Sequence, residues 1–229
     1  DYRRIFLVST LAGVAAVVAL IAGVREQPPG PKGAKQPPAE LPGSLPLFLA
    51  AHFVYSAGNF TYAFFLLRAQ QVGVAPGLVP VLYLWHNLVY AAAAFPFGLL
   101  LDRLGARRAQ SLTYLIHAVS CLGFMVAARP GWMPLWFAIY GLELGAVGAC
   151  SRATAAGLIR SGRRATGMGV FHATEGLGLL VAGLVGGQLA DRVGASAPFA
   201  YGAVAALGAA ALAWFALRRP SAAAEESGG

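Results

Sequence analysis

Of the chain's 229 residues, 58% are apolar and only 11% are charged, where soluble domains carry about 25% charged residues. So few charges cannot cover the surface of a soluble fold, which points to a bilayer instead. The net charge of +8 reflects scarce acids and short Lys/Arg clusters between long apolar runs. No basic stripe is interleaved with aromatics, which speaks against nucleic acid and leaves anionic lipid headgroups as the expected partners.

Crossing about 30 Å of hydrocarbon takes roughly 20 helical residues. Runs of that order occur at residues 5–24, 46–67, 79–101, 109–128, 133–158, 168–190 and 197–217. They are too long and too uniformly apolar for barrel strands. Seven helices are predicted, because unpaired amides are not tolerated in lipid. The expected organisation is a lone helix within residues 1–26, a Pro- and Gly-rich cytoplasmic linker at 27–45, a six-helix bundle at 46–219 and a disordered tail at 220–229.

Loop charges orient the bundle. One side carries Arg25, Lys32, Lys35, Arg103, Arg107, Arg108, Arg160, Arg163, Arg164, Arg218 and Arg219. The other carries Arg3, Arg4, Arg68, Arg129 and Arg192. Eleven against five, alternating loop by loop, predicts a cytoplasmic C-terminus. Heavy Ala, Gly and Arg usage fits a GC-rich bacterial gene, so the expected location is a bacterial inner membrane. Cys121 and Cys150 both lie inside apolar runs and read as buried thiols. No zinc spacing, P-loop or nucleophile elbow occurs, so no metal or cofactor is expected. The glycines at 167, 169, 176 and 178 lie within a span and are not a dinucleotide fingerprint; Gly183 and Gly187 read as helix packing.

An internal repeat carries the argument further. Gly98-Leu-Leu-Leu-Asp102-Arg103-Leu-Gly105-Ala106 matches Gly187-Gln-Leu-Ala-Asp191-Arg192-Val-Gly194-Ala195 at six of nine positions, 89 residues apart. Each copy closes the second helix of a three-helix unit. Three is odd, so the two units enter the membrane from opposite sides, an inverted repeat of the kind found in secondary transporters. Within the segment, Gly98 is expected to permit close helix approach, and Gly105 to allow reversal into the next helix. Arg107 and Arg108 would hold the loop at the cytoplasmic face.

The pattern Gly98-x-x-x-Asp102-Arg103-x-Gly105-x-Arg107-Arg108 resembles the cytoplasmic loop motif of the major facilitator superfamily of transporters. Ala106 stands where that family commonly has a basic or polar residue. The six-helix block is similar to the C-terminal half of such proteins. The resemblance implies an all-α transmembrane bundle, a missing N-terminal half of the same protein, and a gating role for the Asp102–Arg108 loop.

Charged groups inside a span are costly and mark pathways. Glu143 lies near the middle of the fifth span and reads as a proton carrier or substrate partner. Gly141, Gly145, Gly148 and Arg152 form one stripe of that helix, with Arg152 either anchored at its cytoplasmic end or bonded between helices. His172 and Glu175, three apart, share a face and make either a proton relay or a packing pair. Asn59 and Tyr55 in the second span, and His86 and Asn87 in the third, are further cavity candidates. The resemblance favours Asn59, Tyr55 and Glu143, because in such proteins the helices matching the second and fifth spans line the central cavity. His52 and His117 read as structural.

Together these features predict a proton-coupled secondary transporter of a small solute, working by alternating access, and not an enzyme. A non-transporting scaffold or sensor is the alternative. An intramembrane enzyme would need a nucleophile–base pair that the sequence does not display.

Overall fold

The structure, a computed structural model, describes residues 10, 13–15, 17–18, 44–159 and 164–217. The chain divides into two units, Asp1–Glu40 and Leu41–Gly229. In the first, every described position is helical and exposed. The remainder of the predicted lone helix, residues 27–43 of the linker, Arg160, Arg163 and the tail lie outside the described residues.

The second unit is all-α among its described residues. Its helices are α1 (Ser44–Gly58), α2 (Tyr62–Gln71), α3 (Val79–Val126), α4 (Met133–Leu158), α5 (Arg164–Arg192) and α6 (Ala197–Ala216). Short 3₁₀ turns that begin with proline, Pro76–Leu78 and Pro130–Trp132, lead into α3 and α4. Proline suits such starts, where its missing N–H would have no helical partner. The segments Pro76–Val126, Pro130–Leu158, Arg164–Arg192 and Ala197–Ala216 are long and apolar enough to cross a bilayer.

Helix α3 holds two predicted spans. It is interrupted only at Gly105, with φ 75° and ψ 160°, a conformation essentially reserved for glycine. The two limbs fold back on each other. Val79 and Leu82 share a core with Cys121 and Phe124, whereas Ala93 and Phe97 pack with Ala109, nearer the turn. The repeat partner Gly194 also has positive φ, 132°, where the chain passes from α5 into α6. The two copies of the motif therefore make glycine-dependent reversals at equivalent places.

The second predicted span, 46–67, is not one helix. It ends at Gly58 and resumes at Tyr62. The Asn59 amide bonds the Ser56 carbonyl at 3.1 Å, a tighter turn than the α-helical ladder makes. Close packing against α6 accompanies the break. A Cβ on Gly58 would sit 2.5 Å from Ala205 Cβ, and one on Gly202 would sit 2.8 Å from the Gly58 carbonyl oxygen. The end of α1 thus lies directly on the backbone of α6, whose alanines 203, 206, 209, 210, 213 and 216 are buried.

The glycine stripe of α4 packs as expected at two of its positions. A Cβ on Gly141 would lie 2.5 Å from the His86 carbonyl oxygen, and one on Gly145 would lie 2.8 Å from that of Tyr90. At other glycines the described residues supply no close neighbour. Gly98, Gly183 and Gly187 have open space where a side chain would go, while on α5 it is Gly178 and Gly186 that meet Ser56 and Phe60. Spacing alone could not say which side of α5 faces protein.

Buried aromatics knit one region together. Phe65 stacks on Tyr140 at 4.0 Å and meets Phe124 edge-on at 4.8 Å, arrangements that add about 0.5–1.5 kcal/mol each beyond burial. Arg68, at the end of α2, donates to the carbonyls of Phe124, Met125 and Ala127 at 3.0–3.2 Å. Those carbonyls lie at the C-terminus of α3, where helical partners run out.

Candidate functional site

The break between α1 and α2 lies beside a buried polar cluster. Glu143, the eleventh residue of α4, is fully enclosed. Tyr55 of α1, equally buried, donates its hydroxyl to Glu143 Oε1. Asn59, the first residue of the break, donates from Nδ2 to the Tyr55 oxygen at 2.9 Å. On the other side, His117 Nδ1 of α3 lies 3.5 Å from Glu143 Oε2. His117 Nε2 lies 3.4 Å from both the Gly58 carbonyl and Cys121 Sγ. A carboxyl group is taken out of water only where hydrogen bonds and partners compensate it. Here α1, the break, α3 and α4 all contribute.

A second cluster adjoins the first. His52 Nδ1 of α1 bonds the Tyr114 hydroxyl at 3.1 Å, and its Nε2 is 3.8 Å from Glu175 Oε1 of α5. Glu175 Oε2 lies 3.1 Å from His172 Nδ1. The Tyr55 and Tyr114 rings stack at 4.6 Å, so the two clusters share an aromatic wall. Glu175 and His172 are partly and largely exposed, at 35% and 52%, whereas Glu143 is sealed.

The remaining candidates separate. His86 is buried and stacks on Tyr140 at 4.6 Å, with Nδ1 lacking a hydrogen-bond partner. Asn87 bonds the Tyr83 carbonyl of its own helix at 2.7 Å and joins no cluster. Arg152 is exposed and folds back along α4, so that a Cβ on Gly148 would meet its guanidinium at 3.2 Å. It does not reach Glu143.

In the loop motif, Asp102, Arg103 and Arg108 are exposed. Arg107 places its guanidinium 3.8 Å over the Trp214 ring of α6, a cation–π contact rather than an ion pair. In the repeat copy, Asp191 and Arg192 are exposed as well.

His117 and His52, expected from the sequence to be structural, each stand against one of the two carboxylates. A signal existed: Gln110, Thr113, Tyr114, His117, Ser120 and Cys121 recur at helical spacing and are all buried. A polar stripe on an apolar span marks the side that faces protein.

These features define a multi-pass helical membrane protein with a buried carboxyl beside an interrupted helix. Residues 47–229 match the family model of the Major Facilitator Superfamily, and the chain belongs to that family. A curated relative, an uncharacterized MFS-type transporter of Methanocaldococcus jannaschii, is 31% identical over 173 residues, covering 73% of this chain. The matched region is 43% of the relative's length, so the chain spans less than half of the curated protein it matches.

Proposed function

We propose that this chain is the C-terminal half of a secondary transporter that moves a small solute by alternating access. Glu143 takes up and releases the coupling proton. The observation that supports this most is the enclosure of the Glu143 carboxyl between Tyr55 and His117, next to the interruption at residues 59–61. Interrupted helices and buried ionisable groups mark the substrate and ion sites of secondary transporters. In this reading the protein lies in the cell membrane with its C-terminus in the cytoplasm. The Asp102–Arg108 loop closes the cytoplasmic side, and Arg107 holds it to α6.

The test uses the full-length polypeptide in liposomes that enclose a pH-sensitive dye, with a panel of small solutes added outside. At least one solute should move together with protons. Glu143→Gln, which keeps an acceptor for Tyr55 but cannot exchange a proton, should abolish the coupled signal. A Glu143→Gln protein that moves solute and protons like the parent removes Glu143 from the mechanism. Absence of any transport by the parent would favour a scaffold or sensor role.

A further inference from the structure

His117 does two things at once. Its Nδ1 lies 3.5 Å from Glu143 Oε2, two buried atoms with no other hydrogen-bond partner, and its Nε2 faces the Gly58 carbonyl at 3.4 Å. Both oxygens are acceptors when the carboxyl is ionised, and a neutral imidazole has one N–H and one lone pair. Gly58 is the last residue of α1. In an unbroken helix its carbonyl would accept from the amide of Tyr62, but the break at residues 59–61 interrupts that ladder. The imidazole stands in its place.

Counting protons on this pair gives two arrangements. With one dissociable proton present, on the ring or on the carboxyl, Nε2–H can hold Gly58 while a hydrogen also lies between Nδ1 and Oε2. With that proton gone, the ring's remaining hydrogen can serve only one acceptor. The carboxylate is the stronger acceptor, so the hydrogen moves to Nδ1 and the Gly58 carbonyl loses its donor. Cys121, also near Nε2, is a weak donor and does not replace it.

We propose that His117 is a coupling residue, which converts loss of the proton from the Glu143–His117 pair into release of the α1 end at the helix break. This rests on the proton-carrier reading of Glu143. The other titratable groups facing the pair are Tyr55 from α1, Cys121 on the same limb of α3, Tyr140 on α4 and His86 on the first limb of α3. Helix α6 presents the backbone of Gly202 there. Tyr55 occupies Oε1, which leaves His117 as the group at Oε2.

The test is amide hydrogen exchange of the peptide spanning residues 59–64, in the full-length protein in lipid nanodiscs. It is read between about pH 5 and about pH 8, where histidine chemistry operates, and is corrected for intrinsic base catalysis. Protection of the break should fall by about five- to tenfold as pH rises, the net worth of one ordinary hydrogen bond. His117→Asn, which can reach Glu143 but not Gly58, should exchange fast at every pH. His117→Gln, which can reach Gly58 but cannot titrate, should stay protected at every pH.

A flat profile in the parent protein overturns the proposal, as does a parent-like slope in His117→Gln. Should a His117 variant fail to fold, Glu143→Gln carries the same test and must flatten the profile. The transport assay keeps the two readings apart. Coupled transport that Glu143→Gln abolishes, beside a pH-independent break, sinks the coupling role of His117 alone.

Discussion

Tyr55 and Glu143, 88 residues apart in sequence, meet in a buried hydrogen bond that ties α1 to α4 beside the break between α1 and α2. Tyr55 also receives the amide of Asn59 and stacks on Tyr114. One phenol thus joins the carboxyl, the break and the second cluster.

Tyr55→Phe keeps the ring and its stacking but leaves Glu143 Oε1 and Asn59 Nδ2 without a partner. A buried polar group that loses its partner costs about 1–3 kcal/mol. The purified variant should melt at a lower temperature than the parent, and its coupled transport should fall. An unchanged melting temperature would show that water replaces the hydroxyl at no cost.

Arg68→Ala uncovers three carbonyls at the end of α3. Hydrogen bonds to a charged donor are worth about 1.5–3 kcal/mol each in favourable settings. For this half-buried group the expected net loss is about 2 kcal/mol. Arg68→Lys should restore only part of it, because an ammonium lacks the planar fork that reaches several acceptors. Chemical denaturation of the two variants would check this; full rescue by lysine would contradict it.

Gly105→Ala places a Cβ on a backbone at φ 75° and ψ 160°, at a cost of about 1–3 kcal/mol. Gly194→Ala, at φ 132°, should also destabilise. Gly98→Ala, inside a helix with open space around it, should be neutral or stabilise by about 0.5–1 kcal/mol. Thermal unfolding of all three separates glycines kept for backbone geometry from one that is not.

Gly141→Ala drives a methyl to within 2.5 Å of the His86 carbonyl, and overpacking of this kind costs about 1–3 kcal/mol. Gly148→Ala meets only the mobile end of Arg152 and should leave stability unchanged. Equal melting temperatures for the two would show that α3 and α4 separate easily.

Much of the architecture was legible because span length follows from bilayer thickness. The limits of α4 and α6 fall where the apolar runs end, and the paired motifs located both glycine reversals. The break at residues 59–61 was not legible. Asn59 and Thr61 are polar, but single polar residues also stand inside unbroken spans, and the α6 backbone that Gly58 meets lies far along the chain. Tyr55 and Asn59 pair by spacing on one span, but no spacing rule reveals the contact of Tyr55 with Glu143 across 88 residues. His117 was set aside because one histidine in an apolar run looks like packing; its meaning came from the helices around it. At Gly98 no described residue lies close, and a small residue reads as a contact whichever way it faces.

The interruption of the first span also bears on how the protein is made. At 1.5 Å per residue, the 15 residues of α1 and the 10 of α2 measure about 22 and 15 Å, and neither alone crosses a bilayer. The groups that cover the bare carbonyl of Gly58 are His117, 59 residues later, and the backbone around Gly202. When the ribosome delivers residues 44–71 to the insertion machinery, none of that cover has been synthesised. The first span of the bundle therefore reaches its final seat among the last, after α6 has entered the membrane.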